Sequence, residues 1–151
     1  MEVRENARRQ GLIFVFTNGC FDILHRGHVE LLRKAKSLGD ILAVAINSDA
    51  SMKRIKGNLR PIVKEEDRAA IVASLAFVDY VLIFEEDTPE AVITALLPDI
   101  LVKGEDYQLE EIVGRRQVES AGGKVVRIPL TPGYSTESML REIARRYGKS
   151  E

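Results

Sequence analysis

Short apolar runs alternate with helix-period segments along this chain, and that alternation limits the fold more than any other feature. Residues 12–17 (LIFVFT) are apolar, rich in β-formers and followed by Asn18-Gly19, so they read as a buried strand. Residues 28–38 place Val29, Leu31, Leu32, Ala35 and Leu38 at helical spacing before Gly39, a natural C-terminal stop. Residues 40–47 (DILAVAIN) form a second strand. The polar, basic stretch 48–61 (SDASMKRIKGNLRP) reads as a loop. Residues 64–77 open acidic and turn apolar, which suits a helix N-terminus and its dipole.

The pattern then repeats. Residues 78–84 (VDYVLIF) are a third strand, and Thr88-Pro89 is an N-cap followed by proline in the first turn of a helix to about Leu97. Residues 100–103 are a fourth strand, 109–121 a helix stopped by Gly122-Gly123, and 124–129 (KVVRIP) a fifth strand. Residues 135–147 make a last amphipathic helix before Gly148. This order predicts parallel strands joined by right-handed helical crossovers. The strands are apolar throughout, as in a sheet covered on both faces. The expected fold is α/β: a Rossmann-like, doubly wound, parallel five-stranded sheet.

The 151 residues fit one domain, 1–151, with one core. A net charge of −1 gives no general electrostatic case for nucleic acid or an anionic membrane. The charged start MEVRENARRQ lacks the apolar stretch of a signal peptide, and no run approaches a membrane span. The single cysteine, Cys20, has no intrachain partner and reads as a small packing residue. A reducing, cytoplasmic setting follows as an expectation.

In doubly wound sheets, ligands sit beyond the carboxyl ends of the strands. That rule singles out residues 18–28, 47–60, 85–88, 104–107 and 131–138. The chain has only two histidines, His25 and His28, and both fall in the first of these turns. Gly27 between them lets backbone approach a ligand, and the helix start behind them offers free N–H groups to phosphate. Two imidazoles there can donate hydrogen bonds as charge builds on phosphate oxygens. The competing reading is a pair of surface histidines. His-x-x-His with only Asp22 nearby lacks the further ligands of a closed metal site, so no protein-held metal is expected. Neither a dinucleotide fingerprint nor a P-loop is present.

Lys53, Arg54, Lys56 and Arg60 form a basic cluster without an intervening acid. They suit the charge of a triphosphate or a sugar phosphate, and a solvated basic loop is the alternative. Lys103-Gly104 at a strand end lets a nucleotide approach the backbone, while Asp106 serves either a ribose hydroxyl or a turn. Asp22 divides in the same way between turn and phosphate site. Ser135, Thr136 and Ser138 cap the last helix or bind phosphate oxygens with its N–H groups. Glu137 in their midst repels phosphate and is left out of the site. The acidic FEEDTP stretch, 84–89, is either a helix entry or a recogniser of sugar hydroxyls.

TNGCFDILHRGHVELL, from Thr17 onward, resembles the signature of the cytidylyltransferase-like nucleotidyltransferases, whose mark is His-x-Gly-His after the first strand. The likeness extends through AVAINSDAS, RIKGNLRPI, EEDRAAIV, PDILVKGEDY and YSTESM. It leans toward the branch of that family that makes ADP-heptose for the lipopolysaccharide core, without the sugar kinase half often fused to it. The resemblance implies that His25 and His28, with Lys56, are catalytic and stabilise the transition state at a nucleotide α-phosphate. It implies nucleotide contacts from Thr17, Asn18, Gly19, Phe21, Gly27, His28, Lys103, Gly104, Asp106, Ser135, Thr136 and Ser138. It implies acceptor contacts from Asp22, Asn47, Asp49, Lys56, Arg60 and Arg68. The expected substrates are ATP, with Mg²⁺ carried on its phosphates, and a sugar 1-phosphate; a homodimer is a further expectation. A CTP-dependent enzyme acting on glycerol 3-phosphate, a non-catalytic nucleotide sensor and a protein scaffold remain the alternatives.

Overall fold

The computed structural model describes residues 2–148. Five parallel strands form one sheet in the order β3-β2-β1-β4-β5. They are β1 (Phe14–Gly19), β2 (Ile41–Asn47), β3 (Tyr80–Phe84), β4 (Ile100–Gly104) and β5 (Lys124–Ile128). β1 lies centrally, in register with β2 (Thr17 opposite Val44) and with β4 (Thr17 opposite Val102). The order reverses between β1 and β4, so the expected crevice opens at their carboxyl ends.

Helices cover both faces. α2 (Arg26–Lys36) and α4 (Glu65–Ala73) pack on one, where Leu32, Ala35 and Val72 meet Val15, Leu42, Val44 and Val102. α1 (Glu2–Arg9), α5 (Glu90–Leu96) and α6 (Arg115–Ser120) pack on the other, where Ala7, Ile93 and Val118 meet Phe14, Phe16 and Leu101. α3 (Asp49–Lys56) follows β2, and α7 (Thr136–Tyr147) ends the described chain. The doubly wound reading of the sequence holds. No helix among the described residues is long and apolar enough to cross a membrane.

Four local expectations are corrected. Residues 48–61 are not all loop: Ser48 accepts a hydrogen bond from the Ser51 N–H, caps α3, and puts Lys53, Arg54 and Lys56 in its last turn. That cap was legible in the sequence, but the basic charge masked it. The helix expected over 109–121 is broken into a short 3-10 turn (Leu109–Glu111) and α6, because Gly114 takes a left-handed φ of 83°. Pro89 occupies the N-cap of α5 and not its first turn. The edge strands β3 and β5 are not covered on both faces, since Tyr80, Ile83, Lys124 and Arg127 are exposed. The N-terminal segment, read only as charged, forms α1. It buries Arg4, whose guanidinium donates to the carbonyls of Leu96 and Leu97 and pairs with Asp99 at 2.7 Å.

Candidate active site

The turn after β1 is tightly determined. Phe21 is 4% exposed and holds a left-handed φ of 47°, an unfavourable conformation kept by core packing. A Cβ at Gly19 would lie 3.0 Å from that ring, so glycine leaves the ring its place. Asp22 comes next, with its carboxylate out of water. It accepts from the Ile62 N–H at 2.9 Å, the Val63 N–H at 2.8 Å and Arg60 Nε at 2.6 Å. Burial alone would raise its pKa, but those donors together hold it below the ordinary aspartate value.

Arg68, 1% exposed, donates to the carbonyls of Val63 (2.9 Å) and Cys20 (2.6 Å) and to Asp49 (2.8 Å). Asp22, Asp49 and Arg68 were expected to contact the acceptor, yet their polar atoms are engaged by the chain itself. Asp49 and Arg68 lie off the cleft wall; Asp22 lines it while tying down Arg60. All three brace the loop that carries Arg60.

His25 is the N-cap of α2, with extended backbone at φ −136°, and His28 sits one turn inside. Their rings stack at 3.8 Å with 19° between planes. Phe21 packs against His28 at 5.2 Å, and Tyr134 lies over His25 at 6.4 Å and 25°. The His25 backbone N–H donates to His28 Nδ1 across 3.4 Å. That contact puts the His28 proton on Nε2, the nitrogen free to donate elsewhere. Burial lowers the pKa of both imidazoles; His28, with His25 beside it, falls to about 4. Both are therefore neutral at pH 7. Gly27 has a different use from the one expected: a Cβ there would lie 3.0 Å from the His25 ring and 3.1 Å from Tyr134 Cβ. Glycine makes room for the stack as well as for backbone.

A cleft of about 490 Å³ runs across the strand ends, with His28, Asn18, Gly19 and Phe21 on its wall. Lys56, Arg60 and Lys103 bring positive charge to it, and Ser135 and Thr136 enter from the start of α7. Lys103 donates to Asn18 Oδ1 and lies 5.2 Å from the Tyr107 ring centre. Its burial lowers its pKa to about 8, against the pull of Asp106. Asn47 forms part of the floor and donates to Ser51 Oγ at 3.0 Å. A neighbouring hollow brings His25, Gly27, Asp106 and Tyr134 together with His28, Lys56 and the α7 turn.

Three expected nucleotide contacts have structural duties. Thr17 is buried, and its hydroxyl donates to the Val102 carbonyl, tying β1 to β4. Gly104 leaves space for the side chains of Asp106 and Leu130, which a Cβ there would displace. Ser138 donates its N–H to Ser135 Oγ and its hydroxyl to the Ser135 carbonyl, which completes the α7 cap outside the main cleft. Cys20, Tyr107 and Glu111 line the cleft without having been singled out as ligand groups; Asp87 and Thr88 bring the FEEDTP stretch to it, and Glu137, left out of the expected site, stands on its wall. Thr88 and Tyr107 were within reach of the strand-end rule; Glu111 sits seven residues beyond β4 and carried no signal. Among the described residues, no three of His, Cys, Asp or Glu converge as a metal cage.

A parallel sheet of this order, with a paired His-x-Gly-His turn at its carboxyl edge and a cleft beyond it lined by Lys56, Arg60 and Lys103 as well as by Asp22, Asp87, Glu111 and Glu137, defines a nucleotidyltransferase. The chain belongs to the cytidylyltransferase-like family, whose model matches residues 16–143. It is 53% identical over 146 residues to the bifunctional protein HldE of Syntrophotalea carbinolica, covering 97% of this chain and 30% of that protein. The chain thus spans about a third of the length of the curated relatives it matches. Among solved structures, it resembles a lipopolysaccharide core biosynthesis protein from Thermoplasma volcanium GSS1. That likeness has 32% identity and a TM-score of 0.65, covering 80% of this chain and 98% of the other. Pantoate-beta-alanine ligase from Francisella tularensis, at 19% identity and a TM-score of 0.66, shares the fold; the match covers 96% of this chain and 73% of the ligase.

Proposed function

We propose that the chain transfers AMP from ATP to D-glycero-β-D-manno-heptose 1-phosphate, yielding ADP-heptose and pyrophosphate for the lipopolysaccharide core. The observation that carries the reading is the neutral His28, with its Nδ1 turned to backbone and its ring on the wall of a cleft that Lys56, Arg60 and Lys103 also line. A phosphate oxygen of the sugar attacks the α-phosphorus of ATP in line. The bond to the bridging oxygen breaks, and pyrophosphate leaves with its electron pair. His28 donates through Nε2 to an oxygen on which charge accumulates, and His25 stands beside it. Lys56 and Arg60 offset the charge of the two anions as they meet, and Lys103 holds the nucleotide side.

Asn18, Gly19 and Phe21 frame the nucleotide, with Asp106 near its ribose, and Ser135 and Thr136 with the α7 N–H groups take triphosphate oxygens. Asn47 and Arg60 face the acceptor. Mg²⁺ arrives as part of the ATP substrate and is held by the triphosphate, with no cage from the chain. The HldE relative and the lipopolysaccharide core protein support the choice of a heptose phosphate.

Pyrophosphate release from a panel of ATP and CTP against heptose 1-phosphate and glycerol 3-phosphate tests this assignment. ATP with heptose 1-phosphate is expected to turn over fastest. A clear preference for CTP, or for glycerol 3-phosphate, overturns it.

A further inference from the structure

A catalytic imidazole is usually oriented by a hydrogen bond on the nitrogen that faces away from the chemistry. His28 has such a bond, from the His25 backbone N–H. His25 is held less firmly: its side chain makes only a loose capping-box approach to the His28 backbone N–H, and its buried Nδ1 makes no full hydrogen bond among the described residues. Its orientation is therefore left mainly to packing. Two rings flank it, His28 at 3.8 Å on one side and Tyr134 at 6.4 Å and 25° on the other. The second spacing is near the long end of a useful ring contact, so this side of the sandwich is loose.

Tyr134 belongs to a part of the chain able to tighten. It is 43% exposed and follows Gly133, whose φ is 82°. It directly precedes Ser135, the N-cap of α7, and no residue of α7 is fully buried. The triphosphate oxygens are proposed to bind at Ser135, Thr136 and the first N–H groups of this twelve-residue helix. Fixing that turn fixes the residue joined to it. Gly27 leaves the space in which His25 and Tyr134 approach.

We propose that Tyr134 is a positioning residue that clamps the His25 ring against His28, and that nucleotide phosphates at the start of α7 close this clamp. The proposal rests on the adenylyltransferase reading of the site. It makes the orientation of one histidine depend on occupancy of the phosphate site, so that the catalytic pair is complete only with nucleotide bound. The ring performs this task and the hydroxyl does not, since the Tyr134 hydroxyl makes no hydrogen bond among the described residues.

Tyr134→Ala, Tyr134→Phe and Gly27→Ala are compared with wild type by steady-state pyrophosphate release and by the NMR resonance of the His25 Cε1 proton, with and without ATP. Tyr134→Ala is expected to lower kcat about ten- to a hundredfold, the scale of a misplaced reacting group, with the KM for ATP little changed. It is expected to shift the His25 resonance and to abolish the further shift that ATP causes in wild type. Tyr134→Phe restores both readouts. Gly27→Ala puts a Cβ against both the His25 ring and Tyr134 and is expected to move the same resonance and lower kcat. An unmoved resonance in Tyr134→Ala, an ATP response equal to wild type, or failure of phenylalanine to restore them overturns the proposal. If wild type itself turns over none of the panel, the adenylyltransferase reading fails, while the resonance still decides whether Tyr134 clamps His25.

Discussion

At the amino-terminal edge of the sheet, Asp40, Asp79 and Asp99 accept from the backbone N–H groups of Ile13 (2.8 Å), Leu42 (2.7 Å) and Phe14 (2.8 Å). Asp79 also pairs with Lys36, and Asp99 with Arg4. At the carboxyl edge, the polar groups divide. Asp22, Arg60, Arg68 and Asp49 are bonded to one another and to loop backbone, as a brace. Lys56 and the Thr136 hydroxyl on the cleft wall, and the buried Nδ1 of His25 in the hollow beside it, make no hydrogen bond among the described residues. One edge uses its charges to start strands, whereas the other fixes a few so that the rest stay available. Lys56 is exposed and Thr136 half-buried, so both stay open to solvent or to a ligand, whereas the His25 Nδ1 is a buried group without a bond, which costs stability.

The largest expected effect on stability lies at the amino-terminal edge. Asp99→Ala leaves the buried Arg4 guanidinium without its carboxylate and the Phe14 N–H without its acceptor. Because Asp99 is itself partly exposed, the loss should be about 2–3 kcal/mol, below that of a fully buried pair. Urea denaturation measures it, and kcat at a permissive temperature should stay near wild type.

An effect of similar size concerns pH at the carboxyl edge. The folded-state pKa of His28, about 4, lies below the ordinary histidine value of 6.5. Between those values the unfolded chain binds the proton and the folded chain does not. The stability His28 contributes is therefore present above pH 6.5 and lost as pH falls toward about 4. His28→Gln should flatten that part of the curve in denaturation between these pH values; an identical curve speaks against a buried neutral ring.

The smallest stability change belongs to Lys56→Ala, within about 0.5 kcal/mol because no bond is broken. Its kcat/KM should nevertheless fall at least tenfold, measured by pyrophosphate release, if this lysine meets the reacting phosphates. Stability loss without activity loss at one edge, and the reverse at the other, sharpens the contrast. A Lys56 variant that unfolds, or an Asp99 variant that stays folded but loses turnover, breaks it.

The fold was legible because its signals are local. Apolar runs such as residues 12–17 and helical spacing such as Val29, Leu32 and Ala35 depend on no distant contact. The displaced pieces depended on tertiary contacts or on competing local cues. α1 is held by a buried arginine and has only Val3 and Ala7 as an apolar stripe, and the cap of α3 was outweighed by a basic cluster. The site divided along the same line. His25 and His28 stand out because two histidines three apart follow a strand. The bracing bonds of Asp22 to residues 60–63 and of Arg68 to Cys20 span some forty residues or more, and no local pattern announces them. Tyr134 over His25 is likewise visible only once the chain has folded.

The central claim is that the stacked histidines act on the reacting phosphate and do not merely cap α2. Turnover of ATP and heptose 1-phosphate by His28→Ala, with ATP affinity measured by calorimetry on the same preparation, tests it most directly. A fall in kcat of about 10²–10³-fold is expected, the cost of losing one donor to developing charge, with ATP still bound. Turnover equal to wild type in a folded, ATP-binding variant would contradict it.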